Sequence, residues 1–141
     1  VARGFALAGL LRLRGLQETK AAGELAEANR AVRRSTGQRS AALEQLAADA
    51  PEPVDESTLQ AIAVARAASR ARLLELDAVL AADRNRAAQA AATHQAARQE
   101  LKSLEKLAEQ HTEQRRQQEL AREQQLLDDL PTAGGFGGGQ R

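Results

Sequence analysis

The stretch LQAIAVARAASRARLLELDAVLAADRNRAAQAAATHQAARQELKSLEKLAEQH, residues 59–111, keeps a seven-residue beat with no glycine or proline in it. Its a and d positions are Leu59, Ile62, Arg66, Ser69, Leu73, Leu76, Leu80, Asp83, Ala87, Ala90, His94, Ala97, Leu101, Leu104, Ala108 and His111. A straight α-helix drifts off a seam of about 3.5 residues per turn unless it winds around a partner. A beat of this length therefore predicts a coiled-coil strand and not one helix of a globule. Function then resides on surfaces and not in a pocket.

Composition leads to the same shape. The 141 residues include two Phe and no Trp, Tyr or Cys, and the hydrophobic share of 43% is carried mostly by alanine. A compact core draws about 25 cal/mol per Å² from buried apolar area, of which an alanine methyl supplies little, whereas alanine is the best helix former. The absence of cysteine rules out disulfide and thiolate chemistry and fits a reducing compartment. Formal net charge is +1, with eight Lys or Arg against five Asp or Glu in residues 1–50 and twelve against fourteen in residues 51–141, so the two halves are complementary. Compensating acids and the lack of stacking aromatics argue against a nucleic-acid surface. The apolar run Gly4–Leu11 is followed at once by Arg12 and Arg14 with no small-residue cleavage site, so no secretion signal is expected. No run approaches the roughly 18 apolar residues of a membrane span, so direct membrane insertion is not expected either.

The strong interruption is Ala50-Pro51-Glu52-Pro53-Val54-Asp55-Glu56, where each proline disfavours helix in its predecessor. The expected fold is all-α: two long helices in an antiparallel coiled-coil hairpin over residues 1–130, with helix 1 at about 5–49, a proline turn at 50–56, and helix 2 at about 57–130. Ser57 and Gln60 are spaced as a capping box for the second helix, and Pro131 should end it. Helix 1 carries Leu11, Leu25, Ala28, Val32, Ala42 and Leu46 at heptad-like spacing, but Gly9, Gly15, Gly23 and Gly37 weaken it and Arg33–Gly37 is the expected place for a break. Lengths of about 65 and 110 Å leave helix 2 with a C-terminal overhang. A tight turn would set Leu46 near Gln60, Val32 near Leu74 and Leu7 near Gln99, so that Leu101–Leu130 projects. Lys106–Glu109, Glu113–Arg116, Arg115–Glu119 and Glu119–Arg122 are spaced to pair along it. Its leucines (101, 104, 107, 120, 126, 127 and 130) suit a partner or a second copy. Residues 131–141, rich in glycine, read as a disordered tail.

Catalytic constellations are not found. There is no phosphate loop, nucleophile elbow or zinc-binding helix motif, and Gly134–Gly139 resembles a nucleotide loop only superficially, since no strand precedes it and no helix follows. His94 and His111 are the two histidines and both sit on seam positions without metal-ligand companions. Such residues, like Asp83 and Arg66, set register or oligomeric state. No enzyme activity, cofactor or metal is expected.

Two segments are more specific: FALAGLLRLR from Phe5 to Arg14, and KSLEKLAEQH from Lys102 to His111. In their order around one hairpin, and with the acidic close Leu126-Leu127-Asp128-Asp129, they resemble the flagellar export protein FliJ family over most of residues 3–130. The resemblance implies a stalk of type III export, similar to the central stalk of rotary ATPases, that binds the hexameric export ATPase FliI and touches the membrane export gate FlhA. It implies a cytoplasmic protein, peripheral at the membrane face through the export apparatus, monomeric when free, with export chaperones as further partners. By matching segments it places the ATPase contact on Phe5, Leu7, Leu11, Leu101, Lys102, Leu104, Lys106, Leu107, Leu120 and Leu127, and by position the gate contact on Leu59, Ile62, Ala63, Arg66 and Arg70. The alternatives are a homo-oligomeric structural coiled coil, an export chaperone that escorts flagellar substrates, and a stalk of an injectisome.

Overall fold

A computed structural model describes residues 2–48 and 51–131. Within them the chain forms two helices packed against each other, α1 (Ala2–Ala48, 47 residues) and α2 (Glu56–Asp129, 74 residues), and no strand. At a rise of about 1.5 Å per residue they span roughly 70 and 110 Å. All of the expected tail beyond Pro131 lies outside the described residues, as do positions 49 and 50 of the turn.

The heptad beat of α2 is its inner face. Every a and d residue from Ile62 to His111 except Arg66 is buried or half-buried, and apart from Thr58 no other described residue of α2 is. Opposite it runs a heptad beat in α1, Gly4, Leu7, Leu11, Arg14, Glu18, Ala21, Leu25, Ala28, Val32, Ser35, Arg39, Ala42 and Leu46, with the small residues Gly15, Ala22, Ala26 and Ala31 half-buried beside it. The six apolar positions read from the sequence all lie on this seam; the polar members hid the rest of it. Among the described residues full burial is reached only by Ala21, Ala28, Leu76, Leu80, Ser35 and Asp83. The core is thus one side chain thick, and a large share of it is methyl groups.

Helix α1 shows no break at Arg33–Gly37. Ser35 and Arg39 are bonded across to α2 on either side of Gly37, and Thr36 Oγ1 donates to the Val32 carbonyl at 2.8 Å. Tertiary contact overrides the low propensity there.

The start of α2 also differs from the capping box expected on Ser57 and Gln60. Asp55 is the N-cap: its Oδ1 accepts from the Thr58 backbone N–H at 2.7 Å and from the hydroxyls of Ser57 and Thr58. A carboxylate two residues upstream is the stronger acceptor and collects three donors at once, which Ser57 could not. At the far end Leu130 is extended, as a residue before proline must be, and its N–H reaches back to the Leu127 carbonyl at 3.4 Å.

Four bonds between the helices fix the register. Arg14 donates to Glu100 at 2.7 Å and His94 meets Glu18 at 2.8 Å; Ser35 bonds Asp83 and Arg39 bonds Asp77. Together they set Leu11 level with Leu104, Ala28 with Ala87 and Leu46 with Ser69. This is nine residues along α2 from the tight-turn expectation of Leu46 near Gln60 and Leu7 near Gln99. The cause is the linker. Residues 51–55 are not helical, and extended chain rises about 3 Å per residue against 1.5 Å in a helix. The linker therefore runs back along the opening turns of α2, with Pro51 beside Thr58, Ala61 and Ala65. In consequence α1 reaches Arg115, whose guanidinium lies 3.8 Å from where a Cβ on Gly4 would stand. The unaccompanied overhang begins there, and Leu101 and Leu104, expected to project, are half-buried beneath α1.

Candidate docking surfaces at the two ends

Exposed large apolar side chains gather at the ends of the rod. Near its base, where α1 begins and α2 overhangs, they are Leu10, Leu13 and Leu16 on α1 and Leu107, Leu120, Leu126, Leu127 and Leu130 on α2. Near its tip they are Leu43, Val54, Leu59, Val64, Leu74 and Val79. Between Leu16 and Leu43 on α1, and between Val79 and Leu107 on α2, no described residue of this kind is exposed. The middle of the rod is a polar waist.

At the base the residues assigned from sequence divide in two. Leu7, Leu11, Leu101 and Leu104 are half-buried in the seam; Lys102, Lys106, Leu107, Leu120 and Leu127 are exposed. Phe5 lies in the first turns of α1, and its side chain is outside the described residues. Leu120 (48% exposed) and Leu127 (66% exposed) sit one heptad apart, at f positions on the side of α2 turned away from the α1-facing seam. That seam itself turns polar past His111, because its next positions are Arg115, Gln118, Arg122, Gln125 and Asp129. The overhang is thus no simple prolongation of the hairpin's own interface. Leu10, Leu13 and Leu16 were not singled out from sequence. The signal was there: a strict α1 heptad puts them at g, c and f, outside the seam. With Leu107 they place exposed apolar side chains on several sides of the base.

Electrostatics at the base are local. Glu113 pairs with Arg116 at 3.0 Å, and Arg116's hydrogen bond, then its charge, then a bond from Gln117 hold the Glu113 carboxyl below its ordinary value. The other three pairs expected there are not closed among the described residues. An open cleft between Gly4, Leu7 and Leu11 on one helix and Ala108, His111 and Arg115 on the other marks the last level of α1.

At the tip the register leaves the first turns of α2 beyond the end of α1. Leu59, Ala63, Arg66 and Arg70 are exposed and Ile62 is half-buried. Leu46, Pro51, Thr58, Ile62, Arg66 and Ser69 line a groove there, an open stretch of coiled-coil seam. Val54, at 91%, is the most exposed of the described large apolar residues. Asp55 stands beside it with its carboxyl lowered, first by the Thr58 hydroxyl, then by the Thr58 N–H and the Ser57 hydroxyl.

Among the described residues no group of three His, Cys, Asp or Glu is placed to hold a metal ion, and no helix is long and apolar enough to cross a membrane. The class of the chain is a two-helix antiparallel coiled coil with open leucines at both ends.

The family whose model matches residues 3–133 is described as the flagellar FliJ protein, and the chain belongs to that family. Membership makes it a component of the flagellar protein export apparatus. No curated protein and no solved structure matches the chain.

Proposed function

We propose that the chain is a non-enzymatic stalk of the flagellar export machinery, which binds the hexameric export ATPase FliI at its base, promotes assembly and hydrolysis there, and meets the export gate FlhA at its tip, on the cytoplasmic face of the membrane. The observation that carries this reading is the partition of exposed leucines and valines into two end clusters with a polar waist between them. A protein that touched one partner would need one such cluster. At the base, exposed leucines on several sides suit a partner that surrounds the shaft, as a ring does. At the tip, an open seam suits a partner that lays a helix or strand into it.

Size-exclusion chromatography of the full chain with the flagellar ATPase tests the assignment of the base. The free chain is expected to migrate as an elongated monomer and to shift into a complex when the ATPase is added. A free chain that runs as a dimer or tetramer, and no shift, favours the homo-oligomeric reading instead.

A further inference from the structure

The seam of this hairpin has a second seating that fits its apolar residues at least as well as the observed one. In the waist, facing layers are alanine on alanine at Ala28 with Ala87 and leucine on alanine at Leu25 with Ala90, and layers of small residues distinguish one heptad from the next only weakly. Sliding α1 by one heptad toward the tip would set Val32 against Leu76, Leu7 against Leu101 and Leu46 against Ile62, all apolar on apolar. Two apolar layers change with it, Leu11 exchanging Leu104 for Ala97 and Leu25 exchanging Ala90 for Asp83; the other contacts that the slide breaks are polar. Ser35 would leave Asp83 for Leu76, Glu18 would leave His94 for Ala87, and Arg14 would leave Glu100 for Thr93. Arg39 would leave Asp77 and meet Arg70, a like charge. Asp83, now buried against a serine hydroxyl, would face Ala28. The opposite slide would draw the linker between Ala48 and Glu56 to its full reach of roughly 28 Å.

We propose that the hairpin is a two-register device: the four cross-helix polar pairs hold α1 in the observed seat, and a seat one heptad nearer the tip is the alternative. The two seats expose different ends. In the observed seat Leu46 stops level with Ser69, so the tip groove is open, while α1 covers α2 as far as His111 at the base. In the other seat Leu46 fills the groove at Ile62, and α1 recedes by about 10 Å to uncover Ala108 and His111. A ligand in the tip groove stabilises the first seat and a ligand on the uncovered base stabilises the second, so occupancy at one end opposes occupancy at the other, reciprocally. Both seats are properties of the chain alone, whichever proteins dock at either end.

Disulfide trapping reads the register directly, because the chain has no cysteine of its own. Ala87→Cys paired with Ala28→Cys reports the observed seat, and paired with Ala21→Cys reports the other. The two are exclusive, since a disulfide needs Cα atoms about 5.5 Å apart and a heptad is about 10 Å. In the otherwise unchanged chain the 28/87 pair is expected to form and the 21/87 pair not. Arg39→Glu, at a half-exposed position, opposes Asp77 in the observed seat and attracts Arg70 in the other, so it should move cross-linking from 28/87 to 21/87 with helicity by circular dichroism unchanged. Persistence of 28/87 alone in that variant overturns the proposal. So does loss of both cross-links, which would mean that the polar pairs merely close the hairpin.

Discussion

Ser35 on α1 donates its hydroxyl proton to a carboxylate oxygen of Asp83 on α2, and both side chains are buried in the seam, where the other fully buried residues are Ala21, Ala28, Leu76 and Leu80 among those described. Arg86 Nη1 lies 3.6 Å from the other oxygen. Leaving a buried polar group without its partner costs more than removing both. Ser35→Ala should therefore destabilise the hairpin by about 1–3 kcal/mol, and Ser35→Ala combined with Asp83→Ala by less than Ser35→Ala and Asp83→Ala summed. Urea denaturation followed by circular dichroism measures both; strict additivity would show that the bond contributes nothing.

Leu76 and Leu80, at 4% and 6% exposure, are the only bulky residues fully covered among those described, so they carry an unusual share of the apolar energy. Leu76→Ala or Leu80→Ala should cost about 2–5 kcal/mol. For so thin a core that is enough to abolish a cooperative melt near room temperature. Leu74→Ala, two residues away and 71% exposed, should leave the transition where it was.

Gly23 is helical, exposed and has no atom within 4 Å of a would-be Cβ, and its φ is not positive. Nothing requires glycine there. Gly23→Ala should raise stability by about 1 kcal/mol, read as a higher melting temperature.

Asp55 gives the tip a pH dependence of known sign. Its carboxyl is lowered from the ordinary 3.8 by bonds from Thr58 and Ser57, so the folded state binds its proton less readily than the unfolded one. The stabilisation is fully present above pH 3.8 and is lost as pH falls through the lower folded value. Glu27, held down first by Arg34 and then by Arg30, and Glu113, held down by Arg116, act in the same direction. An acid titration of thermal stability should show a step below pH 4 that shrinks in Asp55→Asn, which keeps an acceptor but cannot titrate. An unchanged step would remove Asp55 from the account.

Most of the architecture was legible because it rests on spacing. The beat from Leu59 to His111 named the buried face of α2, and the two prolines named the turn. The register was not legible, since apolar spacing repeats every heptad and the choice among equivalent seats is made by Ser35, Arg39, Glu18 and Arg14, residues that look like surface positions in the sequence. The same four obscured the heptad seam of α1, and with it the outward placement of Leu10, Leu13 and Leu16. The base surface was half legible: Leu107, Leu120 and Leu127 are open, whereas Leu101 and Leu104 are half-covered by an α1 that reaches further than its turn suggested.

ATP hydrolysis by the matching flagellar ATPase, measured with and without the full chain, decides whether the chain acts as an export stalk. Addition of the chain should raise hydrolysis and ring formation, and Leu107→Asp with Leu127→Asp, both at exposed positions, should abolish the rise while leaving helicity intact. Hydrolysis that stays flat with a folded chain, or a rise that survives those two substitutions, would contradict the account.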